Sequence, residues 1–160
     1  FYLFSYALAT FAAFGVVLLV SAGTNKQYAR DDIAAFSGLG WQEPFLGVVM
    51  TAAVLSLAGI PPLAGFVGKF FLFRAALDSG YLGLVVIAAL NTIVSLYYYL
   101  RVPVVMYFGE GREDWTGGEC ARMFIPRGAL AVSFLGAVYL GLFPGFCYQW
   151  VETAVSTLPW

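Results

Sequence analysis

Four stretches without a charged residue restrict what this chain can fold into more than any other feature of its sequence. They cover residues 1–23, 45–68, 81–100 and 128–151. Each is mostly apolar and about 20 residues or longer, which is the length that a helix needs to cross a bilayer. The 160-residue chain is 61% hydrophobic and only 11% charged, too few charges for the surface of a soluble domain. The sequence therefore predicts an all-α integral membrane protein, folded as a transmembrane helix bundle.

The order of apolar and polar segments predicts a single membrane domain over residues 1–160. We expect helices at about 1–22, 45–77, 81–108 and 128–150, with polar loops at 23–44 and 109–127. The first residue, Phe1, already lies inside an apolar run, and no basic segment of the kind that opens a signal peptide precedes it. We expect the chain to be a fragment of a longer membrane protein.

The second predicted helix is too long for one straight span. As a regular helix its 33 residues, 45–77, would extend about 50 Å, against about 30 Å for the hydrocarbon core. Pro61 and Pro62 cannot both continue a helix, because each lacks a backbone N–H and crowds the preceding turn. We predict two half-helices joined by an unwound link at 60–64, so that the helix is discontinuous. The link residues are Gly59, Pro61, Pro62 and Gly65.

Lys69 follows this link within otherwise apolar sequence. A lysine at the centre of a membrane helix costs roughly 2.5–3.5 kcal/mol, and ionisable residues beside broken helices bind ions or protons in transporters. One interpretation is that its stem lifts the amine outward to the interface. Side chains tilt toward the N-terminus of their helix, which here is the link, and this favours a buried amine. A buried lysine amine can exchange a proton, so Lys69 is the candidate proton carrier.

Two polar stripes on other helices are weaker candidates for a proton path. The stripe on the third helix follows helical spacing and consists of Asn91, Ser95, Tyr98 and Arg101. The stripe on the first helix consists of Tyr2, Ser5, Tyr6 and Thr10. Both patterns are equally typical of polar side chains that bond between packed helices, and the sequence leaves both interpretations open.

Several other classes of site are disfavoured. A phosphate loop ending at Lys69 would need Gly at 63 and Ser or Thr at 70, where this chain has Leu63 and Phe70. The net charge of −1 predicts no nucleic-acid partner. The chain has no histidine, and Cys120 and Cys147 have no metal-ligand spacing, so we expect neither a metal site nor a bound cofactor.

The distribution of basic residues predicts the orientation in the membrane. The two long loops hold most of them, and only Arg74 lies near the opposite side. The loop residues are Lys26, Arg30, Arg112, Arg122 and Arg127. The positive-inside rule places the long loops in the cytoplasm and the C-terminus outward.

Two segments together resemble a known family. They are LSLAGIPPLAGFVGKFFLF at 55–73 and LNTIVSLYYYLRVPVVMYF at 90–108, and DDIAAFSGLG at 31–40 adds to the likeness. They resemble the antiporter-like membrane subunits of respiratory complex I, the proton-translocating NADH:quinone oxidoreductase. The GKF context and the Tyr-Tyr-Tyr-Leu-Arg run point to subunit N, called subunit 2 in mitochondria. This chain would be the C-terminal portion of such a subunit.

The resemblance implies a larger fold of two inverted repeats, each with one broken helix, in which Lys69 matches the proton-carrying lysine of the second repeat. It implies a proton-pumping subunit without redox chemistry of its own, in a bacterial inner or plasma membrane. NADH, FMN, iron–sulfur clusters and quinone would belong to the rest of the complex. The partners would be antiporter-like neighbours, small helical subunits and the lipid bilayer. An Mrp-type cation/proton antiporter subunit and a structural scaffold of a membrane arm remain as alternatives.

Overall fold

A computed structural model describes residues 1–23, 33–111 and 124–145, and all regular structure within them is helical. A short 3-10 helix at Ile33–Phe36 follows the first long helix. The α-helices in chain order are α1 (Tyr2–Gly23), α2 (Leu39–Gln42), α3 (Pro44–Ala58), α4 (Ala64–Asp78), α5 (Leu82–Phe108) and α6 (Phe124–Leu142).

Three of these helices, α1, α5 and α6, are long and apolar enough to cross a membrane. The helices α3 and α4 have 15 residues each, so each extends only about 22 Å and is too short to cross alone. They follow one another across a non-helical link, and together they supply the length of one span. The prediction of a helical membrane protein with one discontinuous helix is confirmed.

The last helix whose bounds are described, α6, begins at Phe124 and ends at Leu142, where the sequence predicted a helix at 128–150. Residues 146–150 of that prediction lie outside the described residues. The earlier start is possible because Pro126 lies in the first turn, where a backbone N–H has no helical acceptor. The earlier end follows from Pro144, which disfavours the helical conformation at Phe143. The two cysteines of the sequence, at 120 and 147, lie outside the described residues.

The buried core lies between α1, α3 and α6. Val16 of α1, Leu46 and Val49 of α3 and Leu130 of α6 are almost completely buried. The helix α5 contributes only Met106 to the buried set, and most of its remaining surface is exposed among the described residues. The core therefore packs the first half of the discontinuous span against α1 and α6, while α5 lies at the side.

An ion pair joins the starts of α3 and α6. The Arg127 guanidinium donates to the Glu43 carboxylate at 2.8 Å, and it also lies over the ring of Phe45 at 5.8 Å. The Glu43 and Arg127 side chains are 17% and 35% exposed. At the same end, the indole N–H of Trp41 donates to the Tyr107 carbonyl at 2.8 Å. These bonds tie the ends of α3, α5 and α6 to the segment that precedes α3.

Candidate functional site

The C-terminus of α3 is closed by a turn at Gly59. Gly59 has φ +85°, and its N–H donates to the Ser56 carbonyl at 3.0 Å. The next N–H, that of Ile60, donates to the Leu55 carbonyl at 3.0 Å. This is the Schellman arrangement, which favours glycine because other residues are strained at positive φ. It satisfies two of the four carbonyls that any α-helix leaves free at its C-terminus.

Lys69 satisfies the other two. Its Nζ donates to the Leu57 carbonyl and to the Ala58 carbonyl, each at 3.0 Å. A cation also suits this position electrostatically, because the C-terminus of a helix carries partial negative charge. The side chain of α4 therefore completes the end of α3, and the amine lies at the break rather than at the outer interface.

The path of the Lys69 side chain gives a second reason why position 59 requires glycine. A Cβ at Gly59 would lie 2.9 Å from Cδ of Lys69 and 3.3 Å from its Nζ. The stem therefore passes directly over the glycine backbone, in the direction that the tilt of helical side chains gives it. Any side chain at position 59 would obstruct the lysine as well as strain the turn.

The start of α4 receives a cap from α3 in return. The residue before the helix is Leu63, which has no polar side chain and makes no cap bond. Instead, the buried Ser56 hydroxyl accepts a hydrogen bond from the Gly65 N–H at 3.1 Å. A Cβ at Gly65 would overlap the Ser56 carbonyl, so glycine permits this close approach. The two half-helices thus cap each other, through Lys69 in one direction and Ser56 in the other.

A small cavity lies beside this reciprocal cap. It has a volume of about 10 Å³, and its polar lining comes from Ser56, Lys69 and three residues of α1. The α1 residues are Tyr2, Ser5 and Tyr6. Helix α1 comes close here because Gly68 has no side chain, and a Cβ there would lie 2.9 Å from Cδ2 of Tyr2. The structure therefore brings the first predicted polar stripe, except Thr10, to Lys69.

The second predicted stripe is not brought to Lys69 within the described part of the chain. Asn91 and Arg101 are exposed, and Tyr98 is 65% exposed. The Ser95 hydroxyl donates to the Thr92 carbonyl of its own helix at 2.9 Å. None of the four lines the cavity, so their assignment to a proton path stays a prediction.

Of the predicted link residues, Gly59, Pro61 and Pro62 lie between the two half-helices, whereas Gly65 lies in the first turn of α4. Their surroundings also differ. Pro61 and Pro62 are exposed, whereas Gly65 is buried. The peptide bond between the two prolines is cis. Helix α6 reaches the link at Gly141, where a Cβ would overlap the Pro62 carbonyl and lie 2.7 Å from the Ala64 nitrogen.

Sequence reasoning missed Ser56. A single serine in an apolar helix is usually read as a packing residue, and the pattern of α3 did not mark it. The sequence feature that could have indicated its role is the position of Ser56 in the last helical turn before Gly59, close to the residues that follow the break. For metals, no three His, Cys, Asp or Glu side chains come together within residues 1–23, 33–111 and 124–145.

The fold and this site define a multi-span helical membrane protein with a lysine at a discontinuous helix. Comparison with known proteins shows which family the chain belongs to. Residues 1–95 match the family described as NADH:quinone oxidoreductase/Mrp antiporter, TM. The chain belongs to this family.

Individual relatives agree. The chain is 39% identical over 160 residues to the NADH-quinone oxidoreductase subunit N of Trichlorobacter lovleyi, and 43% identical over 154 residues to that of Syntrophotalea carbinolica. It covers 31% of each of these proteins, and they match 99% and 94% of this chain. A chain of respiratory complex I from Thermus thermophilus, solved with bound aureothin, is similar with TM-score 0.72 and 34% identity over 90% of this chain and 31% of that one. The chain thus spans about a third of the length of these relatives.

Proposed function

We propose that the chain is part of a proton-translocating membrane subunit of respiratory complex I, of the subunit N type. In this proposal, Lys69 is the group that takes up and releases the proton. The observation that carries it is the position of the Lys69 amine, which is bonded to the two carbonyls at the end of α3. The family match and the subunit N relatives support the wider assignment.

The hydrogen bonds at the break suit a residue that changes its charge. A lysine ammonium has three N–H donors, and a neutral amine still has two. Two donors are what the Leu57 and Ala58 carbonyls require. Lys69 can therefore lose one proton and keep the cap of α3 complete. The break would remain closed in both charge states, so that proton release need not unravel the helix end.

The rest of the assignment follows the family. The long loops at 23–44 and 109–127 face the cytoplasm of a bacterium, and the C-terminus faces outward. NADH, FMN, iron–sulfur clusters and quinone act elsewhere in the complex, and this chain carries no redox chemistry. Its neighbours are other membrane subunits of the complex, both antiporter-like and small helical ones, together with lipid.

A second candidate is an Mrp-type cation/proton antiporter subunit, because the description of the matched family names these antiporters too. Such a subunit would exchange sodium or potassium for protons without electron transfer. A proton flux that depends on sodium and persists without NADH would favour it. The subunit N relatives favour the complex I assignment.

Substitutions of Lys69 in the assembled membrane complex test the proposal. Lys69→Arg keeps the charge and the donors that cap α3, but a guanidinium does not deprotonate in proteins. Lys69→Met removes charge and donors and keeps most of the stem. We expect both to reduce NADH-driven proton pumping severalfold, measured by dye quenching in membrane vesicles. The matched control is Arg74→Met, which removes an exposed cation of the same helix and should leave pumping unchanged.

Normal pumping by assembled Lys69→Arg and Lys69→Met complexes would refute the proton-carrier role. The Met variant leaves two helix carbonyls without donors, at a cost of roughly 1–3 kcal/mol for each buried group. If it alone fails to assemble while the Arg variant assembles and does not pump, the proton-carrier role stands. If both variants fail to assemble, a scaffold role becomes the better explanation.

A further inference from the structure

The two hydrogen bonds of the Lys69 amine indicate which of its three N–H protons it can release. Two of its three N–H groups are directed to the Leu57 and Ala58 carbonyls. The third has no acceptor among the described residues. Lys69 also lines the small cavity between α1, α3 and α4. The cavity is thus the place into which the third N–H can point without breaking the cap of α3.

Ser56 faces the same cavity with an unused donor. Its side chain is completely buried, at 0% exposure. Its oxygen accepts from the Gly65 N–H, so its own proton is free to donate, and that proton has no acceptor among the described residues. A buried hydroxyl without an acceptor is unfavourable, and such groups in cavities are usually satisfied by water.

The volume and the lining of the cavity fit one water molecule. About 10 Å³ approaches the space that a single water requires, and such a water needs two to four polar partners. Lys69 and Ser56 provide two donors to its oxygen. Tyr2 and Tyr6 line the cavity from α1, and a tyrosine hydroxyl can accept a hydrogen bond from a water. The Ser5 hydroxyl already donates to the Tyr2 carbonyl at 2.9 Å, so it is available to this water as an acceptor only.

We propose that this cavity binds one water that receives the third proton of Lys69, and that Ser56 is the positioning residue that holds this water. This proton transfer rests on the proposed function. The Nζ–H bond breaks as a bond from that proton to the water oxygen forms, and the water passes one of its own protons to the Tyr2 or Tyr6 hydroxyl, which releases its own proton to a further water. Lys69 becomes a neutral amine, and the water is regenerated. The proton thus leaves along α1 rather than along the stripe of α5.

Ser56→Ala in the assembled complex tests this proposal, with Ser133→Ala as the matched control. Ser133 is also buried, but its hydroxyl donates to the Ala129 carbonyl of its own helix at 3.1 Å and does not line the cavity. We expect Ser56→Ala to lower NADH-driven proton pumping by at least about fivefold, the effect of one lost buried hydrogen bond. Ser133→Ala should stay within about twofold of the parent.

Ser56→Thr separates positioning from packing, because it restores a hydroxyl at the same place. We expect it to recover pumping to within about threefold of the parent, whereas Ser56→Cys, with its weak thiol donor, should resemble Ser56→Ala. Parent-like pumping by an assembled Ser56→Ala complex would overturn the proposal, as would a Thr variant that assembles and pumps no better than Ala. If the Ala variant does not assemble, the Cys variant decides by the same criterion. Failure of both to assemble would show a purely structural role and overturn the proposal as well.

The outcome can be separated from that of the proposed function. If Lys69→Arg abolishes pumping and Ser56→Ala does not change it, Lys69 is a proton carrier and the water site is wrong. If Lys69→Arg pumps normally, the proposed function itself fails, whatever Ser56→Ala does.

Discussion

Replacing Gly65 with alanine tests whether the two half-helices are held as close as the structure places them. The added Cβ would overlap the Ser56 carbonyl and lie 2.6 Å from its carbon. Carbon atoms in ordinary contact are about 3.5–4.0 Å apart, so the start of α4 must retreat by about 1 Å. The bond from the Gly65 N–H to Ser56 Oγ would then lengthen from 3.1 Å to about 4 Å, beyond hydrogen-bond range.

The expected cost of Gly65→Ala follows from these changes. Overpacking costs roughly 1–3 kcal/mol, and an unpaired buried N–H roughly 1–3 kcal/mol more. Alanine recovers about 1 kcal/mol through its helix propensity. We expect a net destabilisation of about 1–5 kcal/mol, seen as less assembled complex on native gels and a lower temperature of heat inactivation in detergent.

Gly128→Ala is the matched control, because Gly128 lies within α6 and a Cβ there would meet nothing within 4 Å among the described residues. It should be neutral, or stabilising by up to about 1 kcal/mol. If Gly65→Ala assembles and resists heat as well as Gly128→Ala does, the close contact and the Ser56 cap are wrong.

Two further predictions concern contacts around the break and at the ends of the helices. The ion pair between Glu43 and Arg127 is only partly exposed, so we expect a coupling energy of about 1 kcal/mol in a double-mutant cycle with Glu43→Gln and Arg127→Gln. Heat-inactivation shifts that are strictly additive in the double mutant would contradict this prediction. Gly141→Ala should destabilise the complex by roughly 1–3 kcal/mol, because the added Cβ would overlap the link backbone. The control is Gly145→Ala, where a Cβ would meet no described atom within 4 Å and should not destabilise the complex. Equal effects of the two substitutions would refute the contact of α6 with the link.

The break could be predicted from the sequence because its cause is local. Adjacent prolines at 61 and 62 remove donors and exclude helix wherever the rest of the chain lies. The direction of Lys69 also follows locally, from the tilt of side chains toward the start of their helix. The structure agrees on both points, with α3 ending at Ala58 and the amine bonded at that end.

The role of Ser56 could not be predicted in this way. Its partner Gly65 is nine residues further on, across a link whose path sets where the two backbones meet. The same limit applies to the stripes. Periodicity shows that Tyr6 and Tyr98 each lie on a polar helix face, but it cannot say what that face meets. Only packing places Tyr6 at the cavity and leaves Tyr98 exposed in this part of the molecule.

The glycine contacts around the break have a consequence for how a proton could move there. Helix α1 rests on Gly68, and α6 rests against the link at Gly141, so both neighbours touch the backbone itself. Because the break is packed on both sides at backbone distance, a displacement of α4 would also have to displace α1 and α6. The Lys69 amine is bonded to the same backbone, at the Leu57 and Ala58 carbonyls, so it too is held at the break. Displacements of whole helices take microseconds or longer. A proton could therefore leave Lys69 by passing between groups that stay in place, without waiting for α4 to move.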